Sequence, residues 1–232
     1  MPTATPKPST ARKPGRPRNP IPRARLIAVA RAVFAEKGYH AATLDDIANA
    51  VGIRRASLLH RFDDKFGLYS AVLDEMVCDL RELVRTAAVQ GGDFVRALDG
   101  LDERLADYLG ARPGVAQLAV REMINGGPYL KGPGGREVLA TLELSAAFLE
   151  AGMAAGQFVR QDPRQLTLTI VGAHLHCFAS VPTTLGFLGP EAFSPAGIAE
   201  RKAAILVHVR RLCVDPAPAP RKPRQAGRRQ KD

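Results

Sequence analysis

The 232-residue sequence contains no tryptophan, and aromatic residues make up only 6% of it. Beside abundant alanine, leucine and valine, that scarcity favours helices over a β-sandwich, because strands draw on aromatic and β-branched side chains. Cysteine is nearly as scarce, with only Cys78, Cys177 and Cys213. Three scattered thiols suit neither a disulfide framework nor a zinc site, so a reducing cytoplasm is the expected location. No apolar run follows the N-terminal charges, and no secretory leader is expected. The fingerprints of common catalysts are missing too: no G-x-S-x-G, no G-x-x-x-x-G-K-[ST], no H-E-x-x-H and no dinucleotide motif on a strand. The glycine-rich K-G-P-G-G segment lacks the strand and helix of a phosphate cradle. Neither an enzyme nor a bound cofactor is expected.

One stretch lacks charge altogether. Positions 165–190 hold no Asp, Glu, Lys or Arg, a run long enough to span a bilayer. It also holds His174, His176, Pro182 and several threonines, and no comparable segment accompanies it. A buried or dimer-facing helix is the expectation, with no membrane partner.

What is present in excess is positive charge, +10 overall, and its distribution is uneven. Residues 1–19 carry Lys7, Arg12, Lys13, Arg16 and Arg18 with no acid, and residues 214–232 carry six cations against Asp215 and Asp232. The chain between these ends is almost neutral. Eleven of the 18 prolines also lie in 1–22 and 215–232, so both ends read as disordered basic arms. Cationic arms on a neutral body suit a polyanionic partner, double-stranded DNA above all.

Between the arms the apolar spacing is helical. Leu26, Ile27, Ala30, Val33 and Phe34 form one stripe, and Gly38 stands where a helix needs a left-handed C-terminal residue. A short helix is predicted after Thr43, another after Ile53, and a longer one from Lys65. Further helices are expected at about 93–109, 113–125, 136–156, 164–187 and 196–213, broken by proline and glycine. The predicted fold is all-α: a three-helix domain over 23–70 containing a helix-turn-helix, then a larger bundle over 71–214.

The segment T-L-D-D-I-A-N-A-V-G-I-R-R-A-S-L-L-H-R-F, residues 43–62, carries the functional reading. Thr43 and Asp46 have capping-box spacing, Leu44, Ile47, Ala48 and Val51 make a buried stripe, and Gly52 permits a tight turn. Leu58 and Phe62 face inward, which leaves Arg54, Arg55, Ser57 and Arg61 outside. A short helix braced in this way fits the major groove, about 12 Å wide, where Arg reads guanine and Ser bonds a base or phosphate. The spacing alone also fits a plain αα corner with a solvated basic face.

The run from Ile27 to Met76, with E-K-G-Y-H-A-A-T-L-D-D-I-A-N-A-V-G-I and L-L-H-R-F-D-D-K-F-G-L, resembles the DNA-binding domain of TetR-family regulators. The resemblance implies that Arg54, Arg55 and Ser57 lie on the recognition helix and that Lys65 meets a phosphate. Three positions depart from the family pattern. Arg54 replaces a small capping residue, Leu59 replaces a tyrosine that touches the backbone, and Arg61 stands where Tyr or His is common and could restore a phosphate contact. Thr43 and His60 complete the expected DNA-binding set. In the N-terminal arm, Gly15-Arg16-Pro17 resembles an AT-hook core whose preceding Arg is Pro14 here. Arg16 is therefore read as a minor-groove or phosphate contact.

The resemblance further implies a homodimer, with the last two long helices at the interface, and a pocket for a small-molecule effector. Polar groups within apolar helices are the candidate ligand contacts: Arg121, Glu122 and Asn125, then His174 and His176. Arg121 and Glu122 equally fit a surface pair. His174 and Cys177 share a helical face, but no third metal ligand is evident, and no metal is expected. The function so indicated is a ligand-responsive repressor on an inverted-repeat operator. A nucleoid-type organiser driven by the basic arms is the competing reading.

Overall fold

The computed structural model describes residues 21–89 and 92–214, and every regular element among them is helical. In chain order these are α1 (Arg23–Ala41), α2 (Leu44–Val51), α3 (Arg55–Leu59), α4 (Lys65–Val89) and α5 (Phe94–Ala111). Then come α6 (Pro113–Asn125), α7 (Pro133–Ala154), α8 (Pro163–Ala179), α9 (Val181–Leu188), a 3-10 turn at Pro190–Phe193, and α10 (Pro195–Cys213). The expected all-α class is what the chain adopts.

Local chemistry sets most helix starts. Pro113, Pro133, Pro163 and Pro195 each open a helix, where a missing N–H costs nothing and the fixed φ is already helical. Asp93, Asp162 and Ser194 cap α5, α8 and α10 by accepting backbone N–H bonds from Arg96, Arg164 and Gly197. Gly38 has φ 77° and kinks α1 before its last turn, close to the left-handed stop expected there.

The predicted helix 164–187 is a correction: the chain makes two helices here. Ser180 leaves the helical region (φ −107°, ψ 62°), and α9 leaves α8 at 83°. Pro182 is the physical reason, since it has no N–H for a bond to Phe178 and its ring collides with that carbonyl. Among the described residues no single helix is long and apolar enough to cross a membrane, and α8 buries Leu166, His174, Cys177 and Phe178 within the protein.

Two apolar clusters hold the fold. One joins α1, α2, α3 and the first half of α4 to α5, α6 and α8, from Leu26, Phe34, Ile47, Leu58 and Leu68 to Leu109, Leu118 and Phe178. The other packs Leu98, Phe148, Leu149, Phe158, Ile205 and Val209, from α5, α7 and α10 and the segment after α7. The boundary expected at 70/71 falls inside α4, which runs unbroken across it. The arms expected at 1–22 and 215–232, Arg16 among them, lie outside the described residues apart from Ile21 and Pro22. Ile21 packs against the first cluster.

Candidate nucleic-acid interface and buried cavity

Helix α2 is fixed at both ends. Thr43 Oγ accepts the Asp46 N–H (3.0 Å) and donates to Asp46 Oδ2 (2.8 Å), while the Thr43 N–H donates to the same oxygen (2.9 Å). Lys37 adds an ion pair to Asp46 at 2.7 Å. These bonds from Lys37 and Thr43 hold the Asp46 carboxyl at a pKa of about 2. At the other end Gly52 turns with φ 81°, in the left-handed region that glycine enters at no steric cost. Ile53 packs beneath the turn, and Leu58 and Phe62 bury themselves against α1 and α4.

The side chains left outside make a basic surface. Arg54, Arg55, His60 and Arg61 are exposed, and Ser57 is half-buried. Arg54 is the N-cap residue of α3 but makes no side-chain capping bond, so its guanidinium stays available. Arg55 pairs with Asp45 at 3.1 Å, both more than half exposed. Such a pair contributes little stability and yields readily to a better partner. Arg61 donates to the Ile21 carbonyl at 2.6 Å, which ties the chain entering α1 to the end of α3. Arg23 lies over the Phe62 ring at 4.9 Å, a cation that sequence periodicity gave no means to place.

Lys65 is more constrained than a solvated helix-start lysine. Its ammonium donates to the carbonyls of His40 (3.2 Å) and Ala42 (3.1 Å) and sits 4.7 Å from the centre of the Tyr39 ring. An ammonium has three donors, so one remains after these two bonds. The hydroxyl of Thr43, by contrast, has spent its one donor on Asp46.

The candidate ligand residues separate. A cavity of about 240 Å³ lies between α4, α5, α6, α7 and α8. Glu122 and His174 line it, whereas Arg121, Asn125 and His176 are exposed and take no part in its wall. The surface pair expected for Arg121 and Glu122 does not form. Arg121 reaches toward the Glu36 carbonyl at 3.4 Å, and Glu122 points inward. Glu122 takes the Tyr69 hydroxyl on one oxygen (2.6 Å) and the N–H groups of Tyr129 (2.9 Å) and Leu130 (3.1 Å) on the other. Burial and that bond to a carboxylate push the Tyr69 phenol well above its ordinary pKa.

Sequence reading missed Asp102. It is 2% exposed, lines the cavity, and meets His174 Nε2 at 3.0 Å. Burial raises its pKa, against the opposing pull of His174. The signal was there, since Asp102 stands four residues after Leu98 and seven before Leu109, on the apolar stripe of α5. Among the described residues no three His, Cys, Asp or Glu side chains converge as a metal site would require.

Residues 26–72 match the family model described as bacterial regulatory proteins, tetR family. This segment, from α1 to the start of α4, is a TetR-type DNA-binding segment. It is similar to the transcriptional activator FasR of Mycolicibacterium smegmatis, 40% identical over 68 residues, which are 28% of this chain and 31% of that protein. It is also similar to the transcriptional repressor KstR2 of Rhodococcus jostii, 35% identical over 99 residues, or 43% of this chain and 46% of that protein. The chain thus spans less than half of each of these curated relatives. The likeness in fold reaches further. The regulator FadR of Bacillus subtilis, crystallised with stearoyl-CoA, superposes with a TM-score of 0.63 over 80% of this chain and 96% of its own, at 16% identity. The stretch matched to the family ends at residue 72, so it takes in α1, α2, α3 and the start of α4 and stops short of the cavity wall.

Proposed function

We propose that this protein is a transcriptional repressor that binds an inverted-repeat operator as a homodimer and leaves it when a small molecule occupies the cavity. The observation that carries the reading is the basic face of α3, braced by α2 and the Gly52 turn within a TetR-type segment. Arg54, Arg55 and Ser57 read bases, and His60, Arg61 and Lys65 meet phosphates. Thr43 acts chiefly by fixing the end of α2. Arg16 and the other arm cations add sequence-independent affinity.

Dimerisation is supported by apolar side chains with nothing to cover them in one copy. Leu168 on α8, Phe187 and Leu188 on α9, and Val207 and Leu212 on α10 are all more than 40% exposed. Surplus apolar surface of this kind marks an interface. Two recognition helices related by the dimer axis would sit roughly 34–36 Å apart, one turn of DNA. The stearoyl-CoA held by FadR supports a ligand role for the corresponding bundle. An activator among the relatives supports a second reading in which some promoters are switched on instead.

The test is to sequence the DNA that the purified protein retains and to titrate it across salt. A repressor recovers a palindrome and keeps a large preference for it over random DNA. Weak preference with steep salt dependence on every sequence would instead favour the nucleoid-type organiser.

A further inference from the structure

The polar groups facing the cavity can be traced one by one. Among the described residues that line it there is no lysine and no arginine. The hydroxyls of Thr141, Ser145 and Thr167 donate to carbonyls of their own helices, at Glu137 (2.9 Å), Thr141 (2.9 Å) and Pro163 (2.8 Å). Tyr129 donates its phenol proton to Asp74 at 2.8 Å. Glu122 has both oxygens occupied, by Tyr69 on one side and two backbone N–H groups on the other.

Asp102 differs from all of these. His174 Nε2 meets its Oδ1 at 3.0 Å, and among the described residues no hydrogen bond reaches its Oδ2. Both side chains are 2% exposed. An imidazole that gives its Nε2 proton to a carboxylate presents Nδ1 as an acceptor while it is neutral. The unspent polar capacity of this wall is therefore acceptor capacity, set in hydrocarbon. A packing role would be met at lower cost by another leucine, because a buried acid must be desolvated whether or not a ligand comes.

The geometry points to an effector that is an apolar molecule carrying one hydrogen-bond donor without negative charge, a hydroxyl or an ammonium, accepted by Asp102 Oδ2. Molecules ending in a carboxylate fit the site poorly, since their charge would meet two acids and neither a lysine nor an arginine. The inference rests on the reading of the cavity as the effector site. The cavity of about 240 Å³ has room for a short aliphatic chain.

Three probes of equal length and different headgroup test this on the full-length dimer by calorimetric titration: 1-octanol, octylamine and octanoate. We expect the alcohol and the amine to bind at least tenfold more tightly than the acid. Asp102→Asn keeps an oxygen for His174 and turns the second acceptor into a donor. It should lower octylamine affinity at least tenfold and narrow or reverse the gap to octanoate. If that variant does not fold, the order of the three probes on the native protein decides alone. Octanoate binding as tightly as the other two overturns the headgroup assignment and leaves the cavity as an effector site. If none of the three binds, the effector reading of the cavity falls, and this inference with it.

Discussion

Asp46 shows how much one side chain can be asked to do. It closes the capping box, holds Lys37, and has its pKa lowered to about 2 by those bonds. Unfolded, it would titrate near 3.9. A carboxyl whose folded pKa is depressed stabilises the fold above its unfolded pKa, and loses that contribution as pH falls through the folded value. Unfolding by urea should therefore become easier between about pH 4 and pH 2, and Asp46→Asn should flatten that dependence while leaving the rest of the acid limb intact. A wild-type slope unchanged by the substitution would show that the Lys37 and Thr43 bonds do not persist in solution. On the proposed DNA face, Arg55→Ala should relax preference at particular base pairs and cost about 1–3 kcal/mol of operator affinity. Lys65→Ala should weaken all sequences alike, lower the salt slope by about one, and also lower the midpoint of unfolding, because the His40 and Ala42 carbonyls lose their donor. Competition binding against single-base operator variants separates the two. At this scale the helix-turn-helix was legible in the sequence because it is local: cap, turn, α3 and Lys65 lie within 23 residues, from Thr43 to Lys65. The cavity was not. The meeting of Glu122 with Tyr69 spans 53 positions and that of Asp102 with His174 spans 72, and no periodicity within one helix encodes a partner on another.

Among the elements, α4 has two occupations. Its first turns hold Lys65 and pack Tyr69 against Phe34 and Tyr39, with ring centres 5.0 and 4.7 Å apart. Its later turns give Leu73, Met76, Leu80 and Val84 to the cavity. Glu122 on α6 joins these halves through the Tyr69 hydroxyl. Tyr69→Phe keeps the ring packing but leaves one buried carboxylate oxygen without its donor, which should cost about 1–3 kcal/mol of stability. It should also change how far a cavity ligand weakens operator binding. A double-mutant cycle with Glu122→Gln checks this, because two independent effects would add and a shared bond would not. Elements were otherwise marked by proline starts and acidic caps, as at Pro113 and Asp162-Pro163, although Pro133, read as part of a loop reaching Gly135, opens α7 instead. The larger exception is instructive. The uncharged run through Pro182 looked like one helix because hydropathy continued across the break, but hydropathy carries no information about a missing N–H. Pro182 did.

For the whole molecule, the exposed side chains of α8, α9 and α10 predict a dimer that one charge should split. Leu212→Glu sets a charge where the proposed interface would bury a leucine, and sedimentation should then show a monomer with much weaker operator binding and unchanged helical content. A variant still dimeric at micromolar concentration would move the interface elsewhere. The arms can be tested at the same scale. A chain cut to residues 20–214 should keep its operator preference but show a shallower salt slope, because five N-terminal and six C-terminal cations are gone. Identical slopes would mean that the arms do not touch DNA.

The first apolar cluster passes from α1, α2 and α3 through α4 to α5, α6 and α8 without a seam. Its consequence is best put in terms of amide protons and deuterium. A segment with its own core opens by itself, and its deepest amides then ignore what happens elsewhere. Here Ala30 and Phe34 on α1 are fully buried in the same cluster as Leu73, Leu109 and Val115, which line the cavity. A ligand present at a hundred times its dissociation constant stabilises the native state by about 2.7 kcal/mol. If α1 can open only with the rest, its slowest amides should take up deuterium about a hundredfold more slowly in that solution, although none of them lies in the cavity wall.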